Sequence, residues 1–132
     1  MNCLLDTHAF LWAVFSADKL SAQVRKVIRS PENRVCVSAV SFWEISLKYA
    51  IGKIGLEKCQ PEDLPDVAAG MDIEILPLTA QEAATFHRLP RREHKDPFDR
   101  MIIWQAVQRS LVLVSKDGGF AGYEELGLQT LW

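Results

Sequence analysis

The stretch Cys3-Leu4-Leu5-Asp6 is a short apolar run that stops at an acid. A strand buried inside a parallel sheet has this pattern, because both of its faces are covered and its carboxyl end lies at the rim of the sheet. Four later segments also have the composition of strands, at residues 35–38, 73–77, 111–114 and 128–131. We therefore predict a sheet whose first strand ends directly before Asp6.

Segments with helical periodicity lie between these strands, at residues 22–29, 39–51, 80–89 and 97–109. A further short helix is expected near residues 61–71, and Thr7 begins a stretch that can start another. Strands that alternate with helices predict βαβ units, right-handed crossovers and a mostly parallel sheet. We therefore predict an α/β protein with a three-layer α/β/α sandwich, formed by a single domain over residues 1–132.

The composition is that of a globular protein, since 48% of the 132 residues are hydrophobic and 24% are charged. No apolar stretch approaches the roughly 20 residues of a membrane span, and an acid stands where a signal peptide carries basic residues, so we expect a soluble cytoplasmic protein. Three cysteines without paired spacing argue against a disulfide framework and a zinc site. Because the net charge is −2, any contact with nucleic acid must come from a local basic patch.

Four carboxylates, those of Asp6, Glu44, Asp99 and Asp117, stand where a predicted strand ends or a predicted helix begins. The carboxyl ends of parallel strands share one edge of the sheet with the helix N-termini, and α/β proteins bind ligands there. Carboxylates crowded at that edge repel each other unless protons or a divalent cation neutralise them. One acidic metal pocket would explain all four positions together.

Three of these acids also have a purely structural explanation. Asp6 has the position of a helix N-cap, and Asp117 precedes two glycines as in an Asx-turn. Glu44 follows Ser41 with the S-x-x-E spacing of a capping box, and Lys48 is placed for a surface ion pair with it. Taken singly, the structural explanation is preferred for Asp6 and Asp117 and is an even alternative for Glu44.

Two of the acids fall on apolar helix faces. Glu44 is at helical spacing from Val40, Leu47 and Ile51, which predicts that its carboxylate lies in line with an apolar stripe rather than on a solvated face. Asp99 heads the face of the 97–109 helix that should pack on the sheet, in the first turn, where the helix dipole favours an anion. A charge at the edge of a core indicates a functional site.

Oxygen ligands without an accompanying His or Cys pattern favour Mg²⁺ or Mn²⁺ over zinc. The histidines His8, His87 and His94 show no ligand spacing, although His8 is close enough to Asp6 to reach the same rim. A pair of divalent ions held by carboxylates activates a water and stabilises the leaving oxygen of an in-line displacement. Phosphodiester hydrolysis is therefore the reaction that the acids favour.

A basic segment directly precedes the 97–109 helix. It contains Arg91, Arg92 and Lys95, and Arg100 follows inside the helix. These side chains would flank the acidic pocket, where they would hold the phosphates of an RNA backbone. The alternative is an ordinary solvated loop.

Four segments carry a resemblance to a known family: LLDTHAFLW at residues 4–12, SFWEISLK at 41–48, DPFDR at 96–100 and VSKD at 114–117. Together they resemble PIN-domain ribonucleases, and most closely the VapC-type toxins of prokaryotic toxin–antitoxin pairs. The likeness spans nearly the whole chain and keeps the order and spacing of the motifs.

The resemblance implies an α/β/α sandwich around a five-stranded parallel sheet and an endoribonuclease that depends on Mg²⁺ or Mn²⁺. It also implies a homodimer, and an antitoxin partner whose tail covers the site. Carried over by position, Asp6, Glu44, Asp99 and Asp117 match the acidic quartet of the family.

Three further residues match positions beside this quartet. Asp96 is the first acid of the DPFDR signature, and it also has the sequence of an N-cap before Pro97. Ser115 stands where the family commonly has Thr or Ser near the pocket, and Thr7 follows the first acid. We predict a supporting role for Asp96, Ser115 and Thr7.

Two other functions remain open. A receiver-type signalling domain is also a small α/β protein with an acidic Mg²⁺ pocket, but it needs paired acids after the first strand and an Asp after the third. Here Thr7 follows Asp6 and residues 73–79 contain no Asp, so we favour the nuclease. A catalytically silent PIN-like binding protein has the same sequence pattern. We also expect Trp43 and Trp104 in the core.

Overall fold

Five short strands form one sheet in the computed structural model, which describes residues 1–92 and 94–132, except the side chain of Ala121. The strands are β1 (Asn2–Leu5), β2 (Arg34–Ser38), β3 (Glu74–Leu76), β4 (Val112–Val114) and β5 (Gln129–Leu131). Their order in the sheet is β3-β2-β1-β4-β5, and all the neighbours pair in parallel.

The central strand β1 is buried on both faces. Leu4 lies beside Cys36 of β2 and Leu113 of β4, and these three residues belong to the core on one side of the sheet. Because successive strand residues point to opposite faces, Cys3 and Leu5 belong to the core on the other side. The continuous apolar run before Asp6 is thus explained by helices that cover both faces.

Within the described residues, six α-helices supply that cover: α1 (Thr7–Phe15), α2 (Ala22–Arg29), α3 (Ala39–Ala50), α4 (Leu64–Gly70), α5 (Ala80–Thr85) and α6 (Pro97–Arg109). The same part of the chain contains 3₁₀ segments between helices, at Ala17–Lys19, Pro61–Asp63 and Phe86–Arg88, and one between β4 and β5, at Gly118–Leu126. Phe10 of α1 packs in the core with Cys3 and Leu5, whereas Ile102 and Ile103 of α6 pack in the core with Leu4. The predicted α/β/α sandwich with a five-stranded parallel sheet is confirmed.

Two local predictions differ from the structure. The helix expected over residues 80–89 ends at Thr85 and continues as a 3₁₀ turn, because Leu89 precedes Pro90 and must leave the helical conformation. The capping box of Ser41 and Glu44 is wrong. Ser38 caps α3, since its hydroxyl accepts a hydrogen bond from Val40 N at 3.0 Å, so Ser41 lies inside the helix.

Among the described residues, none of the helices combines the length and the apolar composition that a membrane crossing requires.

A buried polar network joins α5 to α6. The Glu82 carboxylate pairs with Arg109, with Nε at 2.7 Å and an Nη at 3.0 Å, and it accepts a hydrogen bond from Gln105 Nε2 at 3.1 Å. Ser38 donates from its hydroxyl to the other end of the Gln105 amide. Burial by itself raises the pKa of Glu82, but the Arg109 guanidinium outweighs it and lowers the pKa to about 2.

We predict that Glu82→Gln lowers the free energy of unfolding by about 1–3 kcal/mol at neutral pH, because it leaves Arg109 without its counter-charge. The lowered pKa of Glu82 makes this stabilisation complete above the ordinary value of 4.5, and it is lost as the pH falls towards about 2. Urea denaturation across this range measures the difference between the two proteins. Glu57→Gln, at an exposed site, is the control. A stability difference that stays constant with pH would contradict the prediction.

Candidate metal centre

The acids lie at the carboxyl edge of the sheet, where β1 stands between β2 and β4. Asp6 follows β1 directly, and Asp117 follows β4 after two residues. Asp99 lies in the first turn of α6, whereas Glu44 lies in the middle of α3. The strand order reverses direction at β1, and such a switch point leaves a crevice outside the strand ends. Topology alone therefore places these segments around one crevice.

Asp6 is a buried acid that also caps α1. Its Oδ1 accepts a hydrogen bond from Ala9 N at 2.8 Å. Burial raises the pKa of the Asp6 carboxyl above its ordinary value, and the nearby Glu44 charge adds to this, whereas the Ser115 hydroxyl opposes it. Asp6 is therefore the N-cap that the sequence predicted, and it also lies at the predicted site.

Glu44 is 2% exposed although it is ionisable. Thr7 Oγ1 donates to Glu44 Oε1 at 2.6 Å, and Lys48 forms an ion pair with the other carboxylate oxygen. Thr7 also contacts Ser41 Oγ at 2.9 Å. Glu44 is therefore held in one orientation by a hydroxyl from α1 and an ammonium from its own helix.

The two acids at the start of α6, Asp96 and Asp99, make different contacts. Asp96 is the N-cap, and its Oδ1 accepts from Phe98 N at 2.8 Å and from Asp99 N at 3.1 Å. Asp99 makes no such cap, and oxygens of Glu44, Asp96 and Asp99 lie within 4.8 Å of one another. Burial raises the pKa of Asp99; His94 opposes this, and the charges of Asp96 and Glu44 reinforce it.

Asp117 is the most exposed of the four acids. Its Oδ1 accepts from Gly119 N at 2.8 Å, which is the Asx-turn expected from the sequence. Ser115 Oγ accepts from Asp117 N at 3.0 Å, so Ser115 lies between this acid and Asp6.

One cleft of about 290 Å³ gathers three of the four acids. Asp6, Asp99 and Asp117 line it together with His8, Trp12, Lys116 and Phe120. Glu44 is not part of the cleft lining, and it meets the other acids through its proximity to Asp99. The structure thus brings the four residues together, with Asp99 at the junction.

His94 is a functional candidate that the sequence reasoning missed. Its Nε2 lies 2.9 Å from Asp99 Oδ2, and its Nδ1 lies 4.0 Å from Asp117 Oδ2. The spacing between histidines did not indicate His94, because its contacts at the site are acids on other segments, Asp99 and Asp117. The signal that was available is its position two residues before Asp96.

A basic cleft of about 350 Å³ adjoins this site and is lined by Arg91, Arg92, His94, Lys95 and Arg100. Arg92 pairs with Glu125 at 2.9 Å. Arg100 donates to the carbonyl oxygens of Leu89 at 3.1 Å and Pro90 at 3.4 Å. The Arg100 guanidinium therefore holds the loop, and its place in the RNA contact stays a prediction.

Trp43 is 61% exposed, so the prediction that it lies in the core is wrong. Trp104 is 6% exposed, so the same prediction for Trp104 is confirmed. Trp43 rests edge-on against the Phe98 ring, with 4.9 Å between centroids, and its remaining surface faces outward. Leu47 and Ile51 are exposed as well, at 44% and 58%. The predicted apolar stripe therefore does not explain why Glu44 is buried, because two of its members, Leu47 and Ile51, are exposed. Glu44 is instead buried together with Val40, Ser41 and Ile45.

Residues 3–126 match the family model described as PIN domain. The chain belongs to the PIN-domain family. No curated protein is a significant match to the sequence.

Solved structures share the PIN fold along nearly their whole length. VapBC2 from Rickettsia felis, bound to a DNA fragment from its promoter, is 19% identical, with a TM-score of 0.68 over 99% of this chain and 98% of that one. VapBC-1 from nontypeable Haemophilus influenzae is 17% identical, with a TM-score of 0.67 over 99% and 97%. FitAcB from Neisseria gonorrhoeae is 18% identical, with a TM-score of 0.60 over 100% and 97%. At these identities the likeness concerns the fold.

The PIN fold also removes the receiver-type alternative. Receiver-like proteins have the strand order 2-1-3-4-5, in which the first and third strands are neighbours. Here β1 lies between β2 and β4, and β3 is at the edge. The signalling hypothesis is therefore rejected.

The donor atoms of this PIN domain fit a divalent cation. Ligands that share one such ion at 2.0–2.6 Å lie within about 5 Å of each other. The oxygens of Glu44, Asp96 and Asp99 meet this limit, as do the donor atoms of His94, Asp99 and Asp117. Like charges at this spacing require a counter-ion, which Lys48 supplies only in part.

We predict that Asp6→Asn raises the Tm of the metal-free PIN domain by about 2–5 °C at neutral pH, because Asn keeps the cap on α1 while a buried charge is removed. A raised pKa means that ionised Asp6 costs stability above that pKa, and the cost disappears below the ordinary Asp value. The gain should therefore vanish as the pH falls below about 4.

Thermal melts in EDTA at several pH values test this prediction. Glu57→Gln, at an exposed acid outside the helices, should leave the Tm unchanged. A lower Tm for Asp6→Asn at neutral pH would show that the carboxylate stabilises the metal-free fold.

Proposed function

We propose that this PIN domain is an endoribonuclease that depends on Mg²⁺ or Mn²⁺ and acts as the toxin of a toxin–antitoxin pair. The observation that carries the proposal is the convergence of Asp6, Asp99 and Asp117 on one cleft, with Glu44 beside Asp99. A carboxylate cluster at a switch point fits phosphodiester hydrolysis, where charge develops on the attacking and leaving oxygens.

Asp6, Glu44, Asp99 and Asp117 would hold the cation in this proposal. When bound, the cation polarises the scissile phosphate and provides an activated water. Neighbouring side chains of the protein orient these carboxylates. Thr7 fixes Glu44 by its hydrogen bond of 2.6 Å, and Ser115 supports both Asp6 and Asp117.

The basic cleft supports RNA as the polyanion that enters the site. Arg91 and Lys95 are exposed and lie on the same loop as His94, which contacts Asp99. A phosphate backbone bound there would pass over the acidic cleft. The proposal places the protein in the cytoplasm, where RNA is available.

An exposed apolar stripe on α3 supports a protein partner. Trp43, Leu47 and Ile51 follow each other at a spacing of four residues and remain exposed. Among the solved structures that share the fold are a toxin–antitoxin complex from Klebsiella pneumoniae and FitAB bound to a DNA fragment. We therefore include an antitoxin and a homodimer in the proposal.

We predict that the purified protein cleaves single-stranded RNA with Mn²⁺ and that EDTA abolishes the cleavage. Asp6→Asn and Asp99→Asn should each lower kcat/KM by about 100-fold or more, because each removes a ligand charge. Asp66→Asn should retain full activity. Fluorescently labelled oligonucleotides measure the rates, and melting curves show that the variants are folded.

Two outcomes would contradict the nuclease. Equal activity in wild type and in both variants would indicate a contaminating enzyme. Wild-type protein that binds Mn²⁺ but cleaves none of a broad set of RNAs would favour the catalytically silent binding protein.

We predict that Arg91→Ala/Lys95→Ala weakens RNA binding without altering the metal site. Each lost phosphate contact reduces the slope of log K against log salt by about 0.7 for single strands, so the double variant should lose about 1.4. Binding is measured in the Asp6→Asn background to prevent cleavage. Lys26→Ala/Arg29→Ala, which removes two exposed charges from α2, is the matched control. Equal slopes in all the proteins would place the RNA elsewhere.

A further inference from the structure

His94 reaches the acidic site from a different direction than the four carboxylates. It lies on the loop that precedes α6, whereas Asp99 is on α6 and Asp117 follows β4. A donor nitrogen of His94 and one oxygen from each acid lie within 4.8 Å of one another. Three donor atoms from three segments thus surround a common point, in a set that contains an imidazole.

The His94 ring is held in this position from one side. It packs edge-on against Phe120, with 5.0 Å between ring centroids, and Phe120 is buried. Its two nitrogens face Asp99 and Asp117 rather than solvent alone, and the side chain is 15% exposed. The ring is therefore oriented towards the acids by packing as well as by charge.

Gly119 leaves the room that this arrangement needs. A Cβ at residue 119 would stand 3.2 Å from His94 Nδ1 and 3.1 Å from Asp117 Oδ1, closer than most side chains tolerate. Gly118, its neighbour, has nothing within 4 Å of the same atom position. The absence of a side chain at 119 is thus what allows His94 and Asp117 to approach each other.

We infer that His94 is a direct nitrogen ligand of the metal centre, completing a site with Asp99 and Asp117. The inference rests on the proposed function, which supplies the metal, and it adds a donor that the acidic quartet does not contain. Imidazole suits transition ions, whereas Mg²⁺ prefers oxygen ligands. Compared with an all-oxygen site, the His94 nitrogen therefore raises the affinity for Co²⁺ more than the affinity for Mg²⁺.

The position of His94 also links metal binding to the basic loop. Arg91, Arg92 and Lys95 lie on the segment that carries His94 and line the cleft beside it. A bond from His94 to the ion would fix this segment relative to Asp99. Metal loading thus sets the position of the cations that bind RNA.

Electron spin-echo envelope modulation of bound Mn²⁺ tests the inference, because it detects nitrogen nuclei of a coordinated imidazole independently of RNA cleavage. We expect nitrogen modulation in the wild type, its retention in His8→Asn and its loss in His94→Asn. His8 is the matched control, since it lines the same cleft. Calorimetry should show Co²⁺ affinity about tenfold or more weaker in His94→Asn, against about twofold or less for Mg²⁺.

The outcomes separate this inference from the proposed function. If the wild type binds Mn²⁺ without nitrogen modulation, or if His8→Asn removes the modulation, His94 is not a ligand and the acidic site stands. If the wild type binds no divalent ion, both proposals fail. As a second variant pair, Gly119→Ala should weaken the modulation and Gly118→Ala should not. Equal spectra for these two would also count against His94.

Discussion

The parallel sheet imposes one constraint on which the site depends: every strand ends at the same edge, and the helices that follow begin there. Three acids at that edge can serve two purposes, because each carboxylate has two oxygens. Asp6, Asp96 and Asp117 each accept a hydrogen bond at Oδ1 from a backbone N–H, and the shortest such contact of each is 2.8 Å. The second oxygen of each carboxylate is left for another partner. Helix starts stabilise negative charge, so capping reduces the cost of gathering acids at the crevice. The structural and the functional explanation of these residues are therefore compatible.

Repulsion among the acids sets the electrostatic state of the metal-free protein. Glu44 is paired with Lys48, and Asp99 is paired with His94, from opposite sides of the cluster. The Lys48 ammonium balances part of the charge, while burial still raises the pKa of Asp6 and Asp99. Burial opposes the charged form of Lys48, but Glu44 and the other acids raise its pKa above the ordinary value. A fold that tolerates its own acids in this way can remain intact before a cation binds.

The local sequence pattern predicted the strands and most of the helices, because short-range features of the sequence determine where these elements form. The run Cys3 to Leu5 is apolar since both faces are covered, and Asp96 before Pro97 starts a helix by its own chemistry. The convergence of the acids followed from topology, which the alternation of strands and helices indicates. The position of His94 two residues before Asp96 indicates that it is near the site, but its contacts with Asp99 and Asp117 depend on the path of the loop and could not be predicted. Trp43 was placed wrongly because helical spacing shows which residues share a face, not which face is covered.

The polar network behind the site connects stability with site geometry. Ser38 starts α3, which carries Glu44, and it donates to Gln105, which is on α6 together with Asp99. Gln105 is fully buried, and its amide reaches Glu82, which Arg109 holds. A buried network of this kind is satisfied in only one relative position of the helices that it joins. This network therefore helps to fix the position of α3, which carries Glu44, relative to α6, which carries Asp99.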